Sequence, residues 1–126
     1  MTLVIDTSAV LAILKNEPGG DVATDLSRGA LLCAVNLIEV RSKLMDLVDD
    51  PDRAMATLDR LEIVPAPFTP AQARIASDLW SAVRGKNIAL ADRACMALAI
   101  DRRAALVTAD RDWAALGLPI DFKLIR

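Results

Sequence analysis

Histidine and tyrosine are absent from this 126-residue sequence, and Trp80, Trp113, Phe68 and Phe122 are its only aromatic residues. Without histidine there is no Ser-His-Asp triad, no zinc site built on imidazole and no imidazole base. So few aromatic rings do not make the base-stacking platform of single-strand binders. Any chemistry must be run by carboxylates, hydroxyls, amides and basic groups. No apolar run approaches the roughly eighteen residues of a membrane span. The amino terminus lacks the basic start of a secretory signal, and Asp6 interrupts its apolar stretch. A cytoplasmic protein with no membrane partner is therefore expected, in which Cys33 and Cys95 are reduced core residues.

What is present suits a compact fold. Hydrophobic residues make up 54% and charged residues 25%, which predicts one domain over residues 1–126 with a real core. The net charge of −2 hides an asymmetry. Residues 1–70 hold 11 acidic and 6 basic side chains, a balance of −5, whereas residues 71–126 hold 6 and 9, a balance of +3. Ordinary solvated faces explain such a split, and so does a phosphate-binding patch in the second half.

The apolar run Leu3-Val4-Ile5 reads as a central strand buried on both faces, with Asp6-Thr7-Ser8 at its carboxyl end. A helix is expected over 9–14, closed by the turn cluster 15–20, and a second over 21–27. Residues 30–35 read as a strand running into Asn36, a good N-cap for a helix over 37–47. Asp50-Pro51 and Thr69-Pro70 each open a helix, the second ending at Gly85. Ile63-Val64 is a short strand candidate broken by Pro65. Residues 91–100 are apolar nearly all round and belong in the interior. A strand over 104–107, a short helix over 112–116 and an edge strand over 120–125 complete the chain. Alternating strands and helices predict an α/β fold, a parallel central sheet of four or five strands with helices on both faces. The helices from Asp50 and from Pro70 carry more apolar residues than an edge helix of a monomer needs, which predicts association.

In such a fold helix N-termini and strand C-termini share one edge, where ligands bind. Asp6 and Asp110 follow strand ends, and Glu39 and Asp92 fall in the first turns of helices, so all four converge there. Two readings are open. Each acid can be a cap: Asp6 for the first helix, Glu39 in a capping box with Asn36, Asp92 at a helix start, Asp110 before the short helix. Alternatively the set holds a cation, since two carboxylates about 4 Å apart repel by roughly 4 kcal/mol at an effective dielectric near 20. With only oxygen ligands the fitting ions are Mg²⁺ or Mn²⁺, suited to phosphoester hydrolysis.

Four blocks carry a family resemblance across nearly the whole chain: Val4-Ile5-Asp6-Thr7-Ser8-Ala9, Val35-Asn36-Leu37-Ile38-Glu39-Val40, Leu90-Ala91-Asp92-Arg93-Ala94-Cys95 and Val107-Thr108-Ala109-Asp110-Arg111-Asp112. The sequence resembles PIN domains and, more narrowly, VapC-type toxins of bacterial toxin–antitoxin operons. The resemblance implies a Mg²⁺-dependent endoribonuclease, with Mn²⁺ as a substitute, whose acidic residues correspond to Asp6, Glu39, Asp92 and Asp110. It also implies a homodimer neutralised by a small antitoxin. Thr7, Ser8 and Thr108 match positions that support the site. Asp112 is either an outer member or a solvated helix start. Arg93 and Arg111 stand beside the carboxylates, where they either bind an RNA phosphate or pair with neighbouring acids. The acidic total is untypical of an RNA-cleaving protein, so RNA affinity is expected to rest on the C-terminal basic residues.

Two rivals share a parallel sheet with clustered acids. A receiver-like signalling domain, phosphorylated on a carboxylate, usually has an acidic pair after its first strand and a late lysine near the site. Here Thr7-Ser8 follows Asp6, and no lysine is near Asp92 or Asp110 in sequence. A haloacid-dehalogenase-like phosphatase would want an aspartate where Ser8 stands.

Overall fold

The central strand is β1 (Leu3–Ile5), and every other strand is laid out relative to it in a computed structural model that describes residues 2–126. The remaining strands are β2 (Leu31–Cys33), β3 (Val64–Ala66), β4 (Ala105–Thr108) and β5 (Phe122–Leu124). They form one five-stranded sheet in the order β3-β2-β1-β4-β5, and every pairing is parallel. The register Leu3↔Ala105, Val4↔Leu106, Ile5↔Val107 brings the carboxyl ends of β1 and β4 side by side. The Asp6 N–H continues that ladder to the Val107 carbonyl at 3.1 Å.

Alternation along β1 sends successive side chains to opposite faces. Ile5 joins a core with Leu32 of β2, Val107 of β4, and Ala9, Val10, Val40, Leu44 and Leu58 from α1 (Thr7–Leu14), α3 (Ala34–Leu47) and α4 (Pro51–Arg60). Ala23 of α2 (Gly20–Leu26) closes the same side. Val4 joins a second core with Cys33, Leu106, Met96, Leu98 and Trp113. Its main contributor is α7 (Leu90–Arg102), in which Ala94 to Ala99 are all buried. Helix α5 (Pro70–Asp78) packs on the outside of α7, which is why α7 is apolar all round. The expected α/β fold with helices on both faces is thus observed. Cys33 and Cys95 are free and buried. Among the described residues no helix is long and apolar enough to cross a membrane.

Several boundaries differ from expectation for identifiable reasons. Helix α3 begins at Ala34, not Leu37, so Asn36 lies inside the first turn and is not an N-cap. Its amide is used for tertiary bonds instead. Glu39 consequently sits in the second turn of α3, and the capping-box reading of Asn36 and Glu39 is withdrawn. Pro65 does not break β3, because β3 is an edge strand with one free side, where a missing N–H is tolerated. The helix from Pro70 stops at Asp78 and resumes as α6 (Trp80–Val83), and the expected cap at Thr69 forms a capping box with Gln72. Residues 111–115 form a 3₁₀ turn, not an α-helix. The apolar surplus lies only partly where expected, at Trp80. Helix α4 turns Leu58, Met55 and Ala54 into the first core, while Ile38, Met45 and Leu47 of α3, Trp80 and Leu90 stand exposed.

The carboxyl-terminal strand is seated on the α1–α2 turn. Gly19 has φ +88°, and a Cβ there would be driven into the Ile125 carbonyl oxygen. Gly29 has a similar φ of +75° but nothing within 4 Å of a built Cβ. The pair separates backbone strain from close approach. Gly29→Ala should cost about 1 kcal/mol, the left-handed penalty alone, and Gly19→Ala at least about 2 kcal/mol more. Urea midpoints at matched slope measure both; equal costs would mean that the strand is not seated on this turn.

Candidate active site

Asp6 ends β1 and begins α1, and both roles fix its carboxylate. One oxygen accepts the Ala9 N–H at 2.9 Å and the Ser8 hydroxyl at 2.7 Å; the other accepts the Thr108 hydroxyl at 2.6 Å. The cap reading of Asp6 is therefore correct as far as it goes. A plain cap sits in water, though, and Asp6 is only 3% exposed. Burial raises its pKa to about 6, with Asp92 adding to the rise and the donors from Thr108, Ala9 and Ser8 opposing it.

The other acids are held in the same manner. Thr7, the first residue of α1, donates its hydroxyl to Glu39 Oε1 at 2.6 Å, and Asn36 Nδ2 reaches the same oxygen at 3.1 Å. Asn36 Nδ2 also approaches the Ala91 carbonyl of α7 at 3.4 Å, so one amide ties α3 to the helix that bears Asp92. Asp92 Oδ2 accepts the Ala89 N–H at 2.8 Å at the start of α7. Its pKa is raised, first by burial and then by the charges of Glu39 and Asp110. Asp110 Oδ1 accepts the Asp112 N–H at 3.0 Å, and its own N–H donates to the Thr108 hydroxyl at 3.0 Å. Asp6, Thr7, Ser8, Glu39, Asp92 and Asp110 line one cavity of about 180 Å³ together with Leu11, Lys43 and Trp113. The four acids thus meet at the expected sheet edge.

The remaining expected residues are placed as follows. Thr108 is buried behind Asp6 and acts through it. Asp112 is exposed and meets Asp110 only through its backbone, so it lies outside the cavity. Arg93 turns away: its guanidinium lies 5.0 Å from the Trp80 ring centre and donates to the Ala76 carbonyl at 3.2 Å. Arg111 is exposed at the start of the 3₁₀ turn and does not line the cavity. Lys43, Asn36 and Trp113 belong to the site although the sequence reading did not assign them to it. The signal for Lys43 was its position one turn after Glu39, and for Asn36 its position one turn before.

Among the described residues no three acidic or cysteine side chains stand close enough to grip one ion directly. The donor set nevertheless fits a hard divalent ion. It is all oxygen, the charges of Glu39 and Asp110 raise the pKa of Asp92 and that of Asp92 raises the pKa of Asp6, and a small hard ion keeps several waters that bridge to more distant carboxylates.

The sequence matches the PIN domain family over residues 3–118. No curated protein matches it significantly. Among solved structures, the chain is similar to DNA-bound VapBC from Salmonella typhimurium, at 15% identity and TM-score 0.78, covering 100% of this chain and 99% of that one. It is similar to FitAcB from Neisseria gonorrhoeae, at 22% identity and TM-score 0.69, covering 99% and 98%. It is also similar to VapC20 from Mycobacterium tuberculosis, a sarcin–ricin loop cleaving toxin, at 15% identity and TM-score 0.67, covering 92% and 95%. At these identities the likeness is one of fold.

The raised pKa of Asp6 has a consequence for stability. A carboxyl whose pKa is higher folded than unfolded stabilises the fold below its unfolded value, 3.8, and loses that contribution as pH rises through about 6. In metal-free protein Asp6→Asn, which keeps an acceptor for the Ala9 N–H, should therefore be more stable than the parent at pH 8. The bound is on the order of 3 kcal/mol, and the gain should vanish near pH 4. Thermal melts in EDTA at the two pH values test this; a pH-independent difference would mean that the charge is fully compensated by its three donors.

Proposed function

We propose, from the premise that this chain belongs to the PIN domain family, that it is a metal-dependent endoribonuclease, the VapC-type toxin of a toxin–antitoxin pair. The observation that carries this reading is the convergence of Asp6, Glu39, Asp92 and Asp110, from separate parts of the chain, on one cavity of the PIN-like sheet edge. The receiver-like alternative is not favoured: the family matched is a different one. Its exclusion rested partly on the lack of a nearby lysine, and that part is corrected, since α3 brings Lys43 into the cavity.

Asp6, Asp92, Glu39 and Asp110 are the residues that would hold Mg²⁺, or Mn²⁺ in its place. The ion, when bound, lowers the pKa of water and neutralises phosphate charge. The chain's own contribution is preorganisation. Thr108, Ser8 and the Ala9 N–H keep Asp6 aimed: Oδ1 is occupied by two donors, whereas Oδ2, with one donor, keeps a lone pair free. Thr7 and Asn36 share one oxygen of Glu39, so its other oxygen remains available to accept the proton of the attacking water or to complete the metal shell. Asp92 and Asp110 are held by backbone N–H groups, and the fold need not rearrange to present them.

The rest of the reading follows. The substrate is RNA, residues 1–126 form one domain, and the location is cytoplasmic. A small antitoxin protein is the partner, and the chain is a homodimer. The exposed apolar side chains Ile38, Met45, Leu47 and Leu90 support burial of surface in association.

The purified chain should cut RNA internally in millimolar Mg²⁺ or Mn²⁺ and stop in excess EDTA. Asp92→Asn keeps a side-chain acceptor for the Ala89 N–H but removes a charge, so its melting temperature in EDTA should not fall. Its cleavage rate should drop by at least roughly 100-fold, and expression without the partner should arrest growth for the parent but not the variant. Undiminished cleavage in EDTA would overturn the reading.

A further inference from the structure

The cavity that collects four carboxylates also holds one cation. Lys43 lies one helical turn after Glu39 on α3 and, among the described residues, is the only basic one lining that cavity. The ordinary explanation of such a lysine is an ion pair with the glutamate four residues earlier. The structure does not realise it. Glu39 is engaged by Thr7 and Asn36, and Lys43 makes no ion pair among the described residues.

Among the described residues no other basic side chain lines the cavity, and most of those in the positive half are committed elsewhere. Arg84 and Arg93 both lie over Trp80, at 5.5 and 5.0 Å from its ring centre. Lys123 is 3.5 Å from Asp121, and Arg126 donates to the Pro18 carbonyl at 2.6 Å. Arg102 and Arg103 stand at the far end of α7, about 15 Å along the helix from Asp92 at 1.5 Å per residue. Apart from Arg111, exposed next to Asp110 in sequence but outside the cavity lining, the positive half of the chain does not gather at the site. An anionic substrate entering a pocket of carboxylates needs a cation at the mouth, and Lys43 is the one the pocket has.

We propose that Lys43, placed beside Glu39, Asp92 and Asp110 and unpaired, is a substrate-binding residue that holds a backbone phosphate of the nucleic acid at the site. This rests on the nuclease reading above and adds the residue that orients the anion. The ammonium donates to a non-bridging phosphate oxygen, and as a compact charge on a flexible stem it follows the backbone without reading a base.

The test uses the full chain in Mg²⁺ with a fluorescent single-stranded oligoribonucleotide of mixed sequence. Affinity is measured in the Asp92→Asn background, with and without Lys43→Ala, as a function of salt. Lys43→Ala should weaken binding about tenfold, as expected for loss of one charge-assisted hydrogen bond. It should reduce the magnitude of the salt slope by about 0.7, one phosphate contact on a single strand. Lys43→Arg should retain both, and Lys86→Ala, an exposed lysine outside the cavity, should change neither. In the active enzyme Lys43→Ala should raise KM more than it lowers kcat. Lys43 is exposed, so its melting temperature should be unchanged. Equal affinity and equal slope with and without Lys43, whether binding is tight or undetectable, overturn the proposal. The nuclease reading stands or falls separately, on whether the parent cuts in Mg²⁺ and Asp92→Asn does not.

Discussion

Burial of one carboxylate at the end of the central strand is the constraint on which the site depends. Asp6 cannot be solvated, so its charge has to be met by protein donors, and each donor comes from a segment that must then be in place. Ala9 and Ser8 require α1 to start immediately after β1. Thr108 requires β4 to lie alongside in the observed register, because its hydroxyl reaches Asp6 from the last residue of that strand. The same hydroxyl accepts the Asp110 N–H, and Asp110 in turn accepts from Asp112. Meeting the charge on Asp6 thus also sets the direction in which the chain leaves β4, and with it the position of a second acid.

A parallel arrangement serves Glu39. Its oxygen is held from α1 by Thr7 and from within α3 by Asn36, whose amide also contacts the carbonyl of Ala91 in α7. Three helices are tied through two short polar side chains, and the two arms meet because Thr7 directly follows Asp6. The arrangement carries a cost: Asn36 Oδ1 is buried with no partner. The raised pKa values of Asp6 and Asp92 are the electrostatic counterpart, acids kept together by the fold although their ionised forms resist it.

Much of this was legible in the sequence. Strand ends followed by Asp6 and Asp110 mark a sheet edge by topology alone, and the caps at Asp50 and Thr69 are local features that local patterns report. What was not legible depends on tertiary alternatives. Asn36 has the chemistry of an N-cap, but capping offers one exposed bond where its actual position offers two partly buried ones. Arg93 follows Asp92 in sequence, yet a helix sends successive residues about 100° apart, so the neighbour of a site acid points toward Trp80 instead. Lys43 has the opposite geometry: four residues from Glu39, it shares that residue's face and reaches the cavity. Helical spacing, not adjacency, decided which basic residue joined the acids.

The sign of the cavity sets how a polyanion could occupy it. Four carboxylates and one lysine leave the lining negative, so a phosphate meets repulsion that a single ammonium does not cancel. On the proposed reading the remaining positive charge comes with the divalent ion. Ion and phosphate then bind the same cavity with a favourable mutual term, and linkage makes that term reciprocal: whatever the ion adds to RNA affinity, RNA adds to ion affinity. Among the described residues no three of the acids stand close enough to grip an ion directly, which leaves room for water or phosphate oxygens beside them. On the proposed reading, ion and phosphate each supply the charge the other lacks, and the acidic balance of the lining then favours their joint binding.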